Sequence, residues 1–323
     1  MELDYSSQTR ETDGLSDQKD TINRVSEGAA NSVFSVTPES IRLPRRKPDS
    51  HKGDYGRCFI AAGSVGYTGA PALSARAASR MGAGLVFLGV PKAIYDIMAV
   101  KLDEEMPFPL PDDGSGRLAA NSAGEIIRRA QECDSFLFGP GLGRSAEITE
   151  LVASVIQIVK TPTVLDADGL NAISKNPDAL RNSAAPLILT PHPGEFARLG
   201  GGSAGQDILG AARGFAQSYK CILVLKGHRT ITATPDGKAY INSTGGPAMA
   251  KGGSGDVLAG MIAALIAQKF PALEAALTAV CLHGLTGDMC AAEYGDYSVT
   301  AGDIVSMLPK AVISLQRMTN TES

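Results

Sequence analysis

The chain contains no tryptophan, and phenylalanine and tyrosine together make up only 5% of its 323 residues. Its net charge at pH 7 is −4, with an isoelectric point near 5.7. Proteins that bind single-stranded nucleic acid stack bases on aromatic rings, and general binders of nucleic acid or anionic membranes carry a positive surface. The composition therefore argues against either class of partner.

Cysteine pairs and long apolar runs are also missing. The five cysteines are scattered and form no CxxC motif, which is typical of a reducing compartment. Cys281, His283 and Cys290 lack the usual spacing of a zinc site, so their pattern favours helix packing. The longest apolar stretch, residues 257–267, is too short to span a membrane, and the N-terminus has no signal-like segment. These absences predict a soluble cytoplasmic protein.

Residues 1–35 are polar, and we expect them to form a flexible tail before a single domain over residues 36–323. In that domain short apolar runs alternate with helical segments, and residues 102–120 read as a loop rich in proline and aspartate. A hairpin is predicted over residues 230–242, turning at Pro235-Asp236-Gly237. Buried strands separated by helices predict an α/β fold with a mainly parallel sheet covered on both faces. The predicted strands are 57–62, 85–90, 135–138, 163–165, 187–190 and 221–225.

The segment GGPAMAKGGSGDVLAG, which begins at Gly245, joins a glycine-rich turn to an apolar helix predicted to begin near Asp256. Glycines there let an anion approach the backbone, and the helix N-terminus attracts phosphate. A carboxylate repels phosphate, so Asp256 needs its own explanation. It is either an N-cap or a general base that takes a proton from a hydroxyl attacking phosphorus.

Two familiar nucleotide motifs are absent. The lack of GxxxxGK[ST] excludes a P-loop ATPase by this test, and the lack of GxGxxG after a strand disfavours a Rossmann dehydrogenase. Polar and glycine-rich clusters instead follow most predicted strands, where ligands of parallel sheets bind. The clusters are GSVGYTGAP from Gly63, the Asp166-Ala167-Asp168 segment, TPHPGE from Thr190 and KGHRT from Lys226.

Several residues in these clusters allow two interpretations. His192, held between two prolines, is a hydrogen-bond donor to a ligand or a structural histidine. Glu195 is a first-turn carboxylate or a holder of Mg²⁺ through water, with no direct metal ligand predicted. One of Asp166 and Asp168 caps a helix while the other orients water or metal. Lys226 neutralises a phosphate or lies along an adenine or ribose.

Taken together, the clusters resemble the ADP/ATP-dependent NAD(P)H-hydrate dehydratases, a branch of the ribokinase-like superfamily. GGxGD alone indicates a ribokinase-like kinase, whereas TPHPGE with GSxGYTGAP indicates the dehydratase. The matching segments cover residues 51–260 in order and are HKGDYGR, GSVGYTGAP, RMGAGLV, GPGLGR, LDADGLN, TPHPGEFARL, VLKGHRT and GGPAMAKGGSGDVLAG.

The resemblance implies a three-layer α/β/α ribokinase-like fold and repair of the S-form of NADH or NADPH hydrate. Asp256 would be the catalytic base, and the residues implied to contact the hydrated dinucleotide are Ala70, Gly141, His192 and Asp256. The residues implied to hold the adenine nucleotide are Lys226, Gly227, His228, Arg229, Thr230 and Gly255. Arg229 has an alternative as a surface charge of the hairpin.

The resemblance also implies Mg²⁺ and a phosphoryl donor, ADP or ATP, with ADP favoured by the PHPGE form. Related chains often carry a hydrate epimerase domain, which we expect here to be a separate protein. A homo-oligomer such as a tetramer is implied as well. The alternative function is a ribokinase-like kinase that phosphorylates a small alcohol, such as a vitamin precursor, to a stable ester.

Overall fold

The computed structural model describes residues 24–26, 32–202 and 207–320. Numbered along the chain, the strands in these ranges are β1 Arg24–Ser26, β2 Val33–Val36, β3 Arg57–Ala61, β4 Leu85–Pro91, β5 Met106–Leu110, β6 Ser135–Phe138, β7 Thr163–Leu165, β8 Leu187–Leu189, β9 Ile222–Leu225, β10 Ile231–Ala233 and β11 Ala239–Asn242. The α-helices are α1 Gly69–Arg80, α2 Tyr95–Lys101, α3 Ala123–Gln131, α4 Ala146–Ile158, α5 Asp168–Ile173, α6 Pro193–Arg198, α7 Ile208–Tyr219, α8 Ser254–Ala267, α9 Ala272–Tyr294 and α10 Ala301–Asn320.

All of these strands belong to one sheet, in the order β1-β2-β11-β10-β9-β8-β7-β6-β3-β4-β5. Strands β3 to β9 run parallel, and helices connect most of them, as parallel pairing requires a crossover connection. The predicted hairpin is confirmed as β10 and β11, which pair antiparallel. The parallel strands therefore end at one edge of the sheet, where their following loops meet.

Two hydrophobic cores lie on opposite faces of this sheet. Along β3, Cys58 and Ile60 belong to one core, whereas Phe59 and Ala61 belong to the other. This alternation follows from the two-residue period of a strand. Helices α1, α8, α9 and α10 cover the first face, and α3 to α7 cover the second. The predicted three-layer α/β/α architecture is confirmed.

Helix α9 is long and apolar enough to pass a membrane-span test by length and composition. However, 72% of its most apolar window is buried inside the molecule, as in a core helix. It ends at Tyr294.

Two sequence predictions about the sheet edges are wrong. The predicted loop over residues 102–120 contains strand β5, which pairs with β4. Its two prolines lack an N–H group, but an edge strand tolerates them because one side needs no partner. The predicted tail over residues 1–35 overlaps β1 and β2, since β2 pairs with β11 and Phe34 stacks on Tyr240. The rest of that tail lies outside the described residues.

Candidate active site

A cleft of about 760 Å³ opens at the carboxyl edge of the sheet, where β7, β8, β9 and β11 end. It gathers residues that are far apart in sequence. The site residues predicted from sequence that line it are Asp166, His192, Glu195, Lys226, Gly227, His228, Thr230, Gly255 and Asp256. A larger cavity of about 1050 Å³ is lined by residues 43–55 and the C-terminal ends of α1 and α8. It holds none of the predicted site residues, so the cleft is the candidate site.

The glycine turn forms the N-terminal end of α8. Gly253 is the N-cap, with φ of 96°, and a Cβ atom there would lie 2.7 Å from Leu73 Cδ1. A Cβ at Gly252 would meet no atom within 4 Å. The backbone therefore reaches the cleft at Gly252 and is held in a left-handed conformation at Gly253. Because Gly253 is the cap, the interpretation of Asp256 as the N-cap is wrong.

Asp256 lies in the first turn of α8, half-buried in the wall of the cleft. Burial raises the pKa of its carboxyl from the ordinary 3.8 to about 7, and the Asp166 carboxylate acts in the same direction. The Lys226 ammonium opposes this shift. A carboxyl with a pKa near neutrality can accept a proton and release it again, which is what a general base requires.

Lys226 forms a buried ion pair with Asp166, with 2.7 Å between Lys226 Nζ and Asp166 Oδ1. The hydroxyl of Thr190 donates to the same carboxylate at 2.7 Å. Burial lowers the pKa of Lys226, but the carboxylates of Asp166 and Glu195 outweigh burial and raise it overall. The ammonium also lies 3.0 Å from the position of a Cβ at Gly255. Lys226 thus places a positive charge beside the glycine turn.

The prediction that Asp166 or Asp168 caps a helix is wrong for α5, whereas the other predicted role, orienting water or metal, stays a prediction. The residue at the cap position of α5 is Ala167, which has φ of 50°. The Asp168 carboxylate accepts hydrogen bonds from the Gly143 amide at 2.9 Å and from Asn171 at 3.2 Å. It therefore ties the loop after β6 to the start of α5.

His192 caps α6 through its ring. Its Nδ1 accepts a hydrogen bond from the Gly194 amide at 3.0 Å, so the ring proton lies on Nε2. Burial, followed by the positive charges of Lys226 and Arg198, lowers the pKa of His192. The lowered pKa favours the neutral imidazole, whose side chain is 52% exposed and whose Nε2 lies 3.5 Å from Glu195 Oε1. It can therefore donate from Nε2 to a ligand in the cleft.

Glu195 is buried beneath His192. Its Oε2 accepts a hydrogen bond from the His192 amide at 2.9 Å, which is the first-turn arrangement predicted as one alternative. Burial raises the pKa of this carboxyl above its ordinary value. Among the residues described, no group of three or more His, Cys, Asp or Glu side chains could hold a metal ion. A role for Glu195 toward Mg²⁺ through water remains a prediction.

Ala70 and Gly141 lie beside each other, next to the cleft rather than in its lining. A Cβ at Gly141 would lie 3.2 Å from the Ala70 Cβ, and Gly141 has φ of 64°. Ala70 begins α1, and Ser74 one turn later donates to the backbone oxygen of Asp256 at 3.0 Å. Ser74 thus links α1 to the first turn of α8 at Asp256.

The segment 226–230 crosses the cleft mouth, where Thr230 donates to the Gly227 carbonyl at 3.2 Å. Arg229 is exposed, has φ of 59° and is absent from the cleft lining, which fits its alternative as a hairpin charge. The sequence interpretation gave no site role to His283, which lies in α9. It is buried below the turn, 3.3 Å from the Ser254 hydroxyl, and burial lowers its pKa to about 4. No local signal distinguishes this histidine from a packing residue.

The sequence model of the NAD(P)H-hydrate dehydratase family matches residues 58–310. The chain is similar to a bifunctional NAD(P)H-hydrate repair enzyme, Nnr, of Moorella thermoacetica, with 43% identity over 284 residues. This match covers 87% of the chain and 53% of that relative, so the chain spans about half the length of the curated relatives it first matches.

Two further similarities cover nearly whole proteins. An ADP-dependent (S)-NAD(P)H-hydrate dehydratase of Neisseria meningitidis is 36% identical over 80% of this chain and 88% of its own. The crystal structure of an ADP/ATP-dependent NAD(P)H-hydrate dehydratase of Bacillus subtilis, co-crystallised with ATP and Mg²⁺, has a TM-score of 0.71 and 29% identity. That match covers 84% of this chain and 94% of the other. A half-buried aspartate at a glycine turn, the fold around it and these similarities lead to one assignment: the chain belongs to the NAD(P)H-hydrate dehydratase family.

Proposed function

We propose that this protein converts the S-form of NADH or NADPH hydrate back to NADH or NADPH, with ADP as the phosphoryl donor. The observation that carries the proposal is Asp256, whose pKa of about 7 is set in a cleft beside a helix N-terminus. The ADP dependence printed for the Neisseria relative supports the donor.

The chemistry begins at the ring hydroxyl of the hydrate, which is a poor leaving group. Asp256 takes its proton while the hydroxyl oxygen attacks the terminal phosphorus of ADP, and the bond to the AMP oxygen breaks. The helix N-terminus and the Lys226 ammonium stabilise negative charge that develops on the phosphoryl group. The phosphate ester then leaves as inorganic phosphate, driven by the ring nitrogen lone pair. Loss of a proton from the neighbouring ring carbon restores the double bond.

The residues of the cleft would hold Mg²⁺ only through the phosphates of a bound nucleotide. Because the described residues offer no direct cluster of ligands, the ion would be held by phosphate oxygens and water, with Glu195 acting through water. When bound, Mg²⁺ neutralises phosphate charge during transfer. We also propose, from the family resemblance, a homo-oligomeric cytoplasmic enzyme that works with a hydrate epimerase activity.

The test is incubation with chemically hydrated NADH, Mg²⁺ and either ADP or ATP. We expect recovery of the absorbance of reduced nicotinamide, with one AMP and one inorganic phosphate per NADH when ADP is the donor. A small-alcohol kinase would instead release a stable phosphate ester without free phosphate. Asp256→Asn should lower turnover by about 10²–10⁴-fold. Asp236→Asn, in the exposed hairpin turn, is the matched control and should leave it unchanged.

A further inference from the structure

A third cavity, of about 600 Å³, is lined by the N-terminal end of α4, by α5 and by the end of α6. We call it the Arg144 cavity. Its charged lining residues are Arg144, Glu150, Asp168, Lys175 and Arg198. Three cations thus face two carboxylates, and one of those carboxylates, Asp168, is already engaged by the Gly143 amide and Asn171. Arg144 also pairs with Asp168 at 3.5 Å, and the lining has one more cation than it has carboxylates.

The Arg144 cavity adjoins the catalytic cleft. Asp166 and Ala167 line the cleft, whereas Asp168 lines the Arg144 cavity. Ala167, with φ of 50° and ψ of −117°, lies between these two aspartates. The linings of the two cavities therefore meet along the chain at residues 167 and 168.

His192 connects the two cavities electrostatically. It lines the cleft, yet Arg198 and Arg144 from the Arg144 cavity both contribute to the lowering of its pKa, after burial and Lys226. A Cβ at Gly194 would lie 2.9 Å from His192 Cε1 and 3.6 Å from Arg198 Nη1, so the Arg198 guanidinium is close to His192.

The sizes of the cavities also bear on what they hold. A pocket of about 300–1,000 Å³ suits one drug-sized ligand. The cleft, at about 760 Å³, is of that size, but the proposed reaction needs ADP and a dinucleotide bound together. With ADP on Lys226 to Thr230, the far half of the dinucleotide needs another place.

We propose that the Arg144 cavity binds the adenosine half of hydrated NADH or NADPH, with its phosphate groups on Arg144, Lys175 and Arg198. This rests on the proposed function. Guanidinium groups recognise phosphate with paired hydrogen bonds, and an ammonium adds a point charge. Arg144 is 67% exposed and reaches Asp168 at 3.5 Å, so it is placed to meet a phosphate from solvent. Arg198 is held by a 2.9 Å hydrogen bond to Asn171.

The test uses Arg144→Ala and Lys175→Ala, singly and together, because both side chains are exposed and their loss spares the fold. Arg317→Ala, an exposed arginine of α10 outside the cavity linings, is the matched control. The KM for hydrated NADPH should rise by about 10-fold in the double variant. The KM for ADP and the turnover at saturation should stay within about twofold of wild type. The control should match wild type in all three.

A truncated substrate, hydrated reduced nicotinamide mononucleotide, lacks the adenosine half and so shows whether the change in KM comes from binding of that half. Wild type should use it with lower kcat/KM, and the variants should then equal wild type. An effect restricted to hydrated NADPH assigns the cations to the 2′-phosphate, and an equal effect on hydrated NADH assigns them to the pyrophosphate. Either pattern supports the proposal.

An unchanged KM for both hydrated dinucleotides in active variants would overturn the proposal. An equal loss of kcat/KM with the hydrated mononucleotide would also overturn it. Binding of intact NADPH to each protein, measured through the fluorescence of NADPH, gives a dissociation constant that does not depend on turnover. If wild type cannot restore the hydrate, the proposed function fails. The binding comparison still tests whether the Arg144 cavity holds the dinucleotide, because the dissociation constant of NADPH must then rise in the double variant.

Discussion

Replacing Asp256 by asparagine should change the pH dependence of both turnover and folding, because its carboxyl pKa is raised to about 7. Burial is the main cause, followed by the Asp166 carboxylate. The base form that the proposed mechanism needs is therefore the form that the folded protein disfavours. Asparagine keeps the shape of the side chain but cannot ionise.

The size of the folding effect follows from linkage. Below about pH 4 the carboxyl is protonated in both states, so wild type and Asp256→Asn should be equally stable. Between about pH 4 and 7 the unfolded carboxyl ionises while the folded one keeps its proton, and wild-type stability falls relative to the variant. Above pH 7 the full difference applies. A shift of about 3 pKa units corresponds to about 4 kcal/mol, and water in the open cleft reduces this toward about 2 kcal/mol.

The assay is urea unfolding of both proteins from about pH 4 to 8, together with kcat/KM for hydrated NADH. For wild type, kcat/KM should rise about tenfold per pH unit below pH 7 and level off above it. Asp236→Asn is a control of opposite sign: although burial raises the pKa of Asp236, hydrogen bonds from Lys238 and Thr234 lower it overall. Its loss should therefore destabilise the protein slightly above pH 4, by less than about 1 kcal/mol.

The reasoning would be refuted if kcat/KM were flat from about pH 5.5 to 8. It would also be refuted if the asparagine variant gained no stability at pH 8, since both results would mean an ordinary carboxyl pKa. Retained turnover in the variant would remove the base assignment alone.

Three further predictions concern the same cleft. Gly255→Ala should raise the KM for ADP by about 10-fold, because the new Cβ would lie 3.0 Å from Lys226 Nζ. Gly252→Ala should keep the fold, because a Cβ there meets no atom within 4 Å. Equal ADP kinetics and equal unfolding curves for the two variants would contradict this. Asp166→Asn should lower the free energy of unfolding by about 3–5 kcal/mol, because it removes the carboxylate that pairs with the Lys226 ammonium. A loss below about 1 kcal/mol in urea unfolding would contradict this and show that water solvates the ammonium in place of Asp166. His192→Asn keeps a good helix cap, so stability should change by less than about 1 kcal/mol while the KM for the hydrated dinucleotide rises by about 10-fold; an unchanged KM would return this residue to a structural role.

Helices and central strands could be predicted because their signals are local. The bounds of β6 and β7 agree with the predicted strands 135–138 and 163–165, because short apolar runs next to glycine or proline mark them. The edge strands were missed for the opposite reason. β5 carries prolines that oppose a strand locally, and β2 is a short run whose partner, β11, lies about 200 residues further on.

The sequence by itself determined the fold class, the glycine turn and the residue types available for catalysis, because spacing and turn chemistry are properties of neighbouring residues. Only the tertiary structure decided how those residues act on one another. It pairs Lys226 with Asp166 across 60 positions, buries His283 beneath Ser254 and removes enough water from Asp256 to raise its pKa. Desolvation and charge proximity depend on which distant segments pack together, and a linear pattern does not contain those distances.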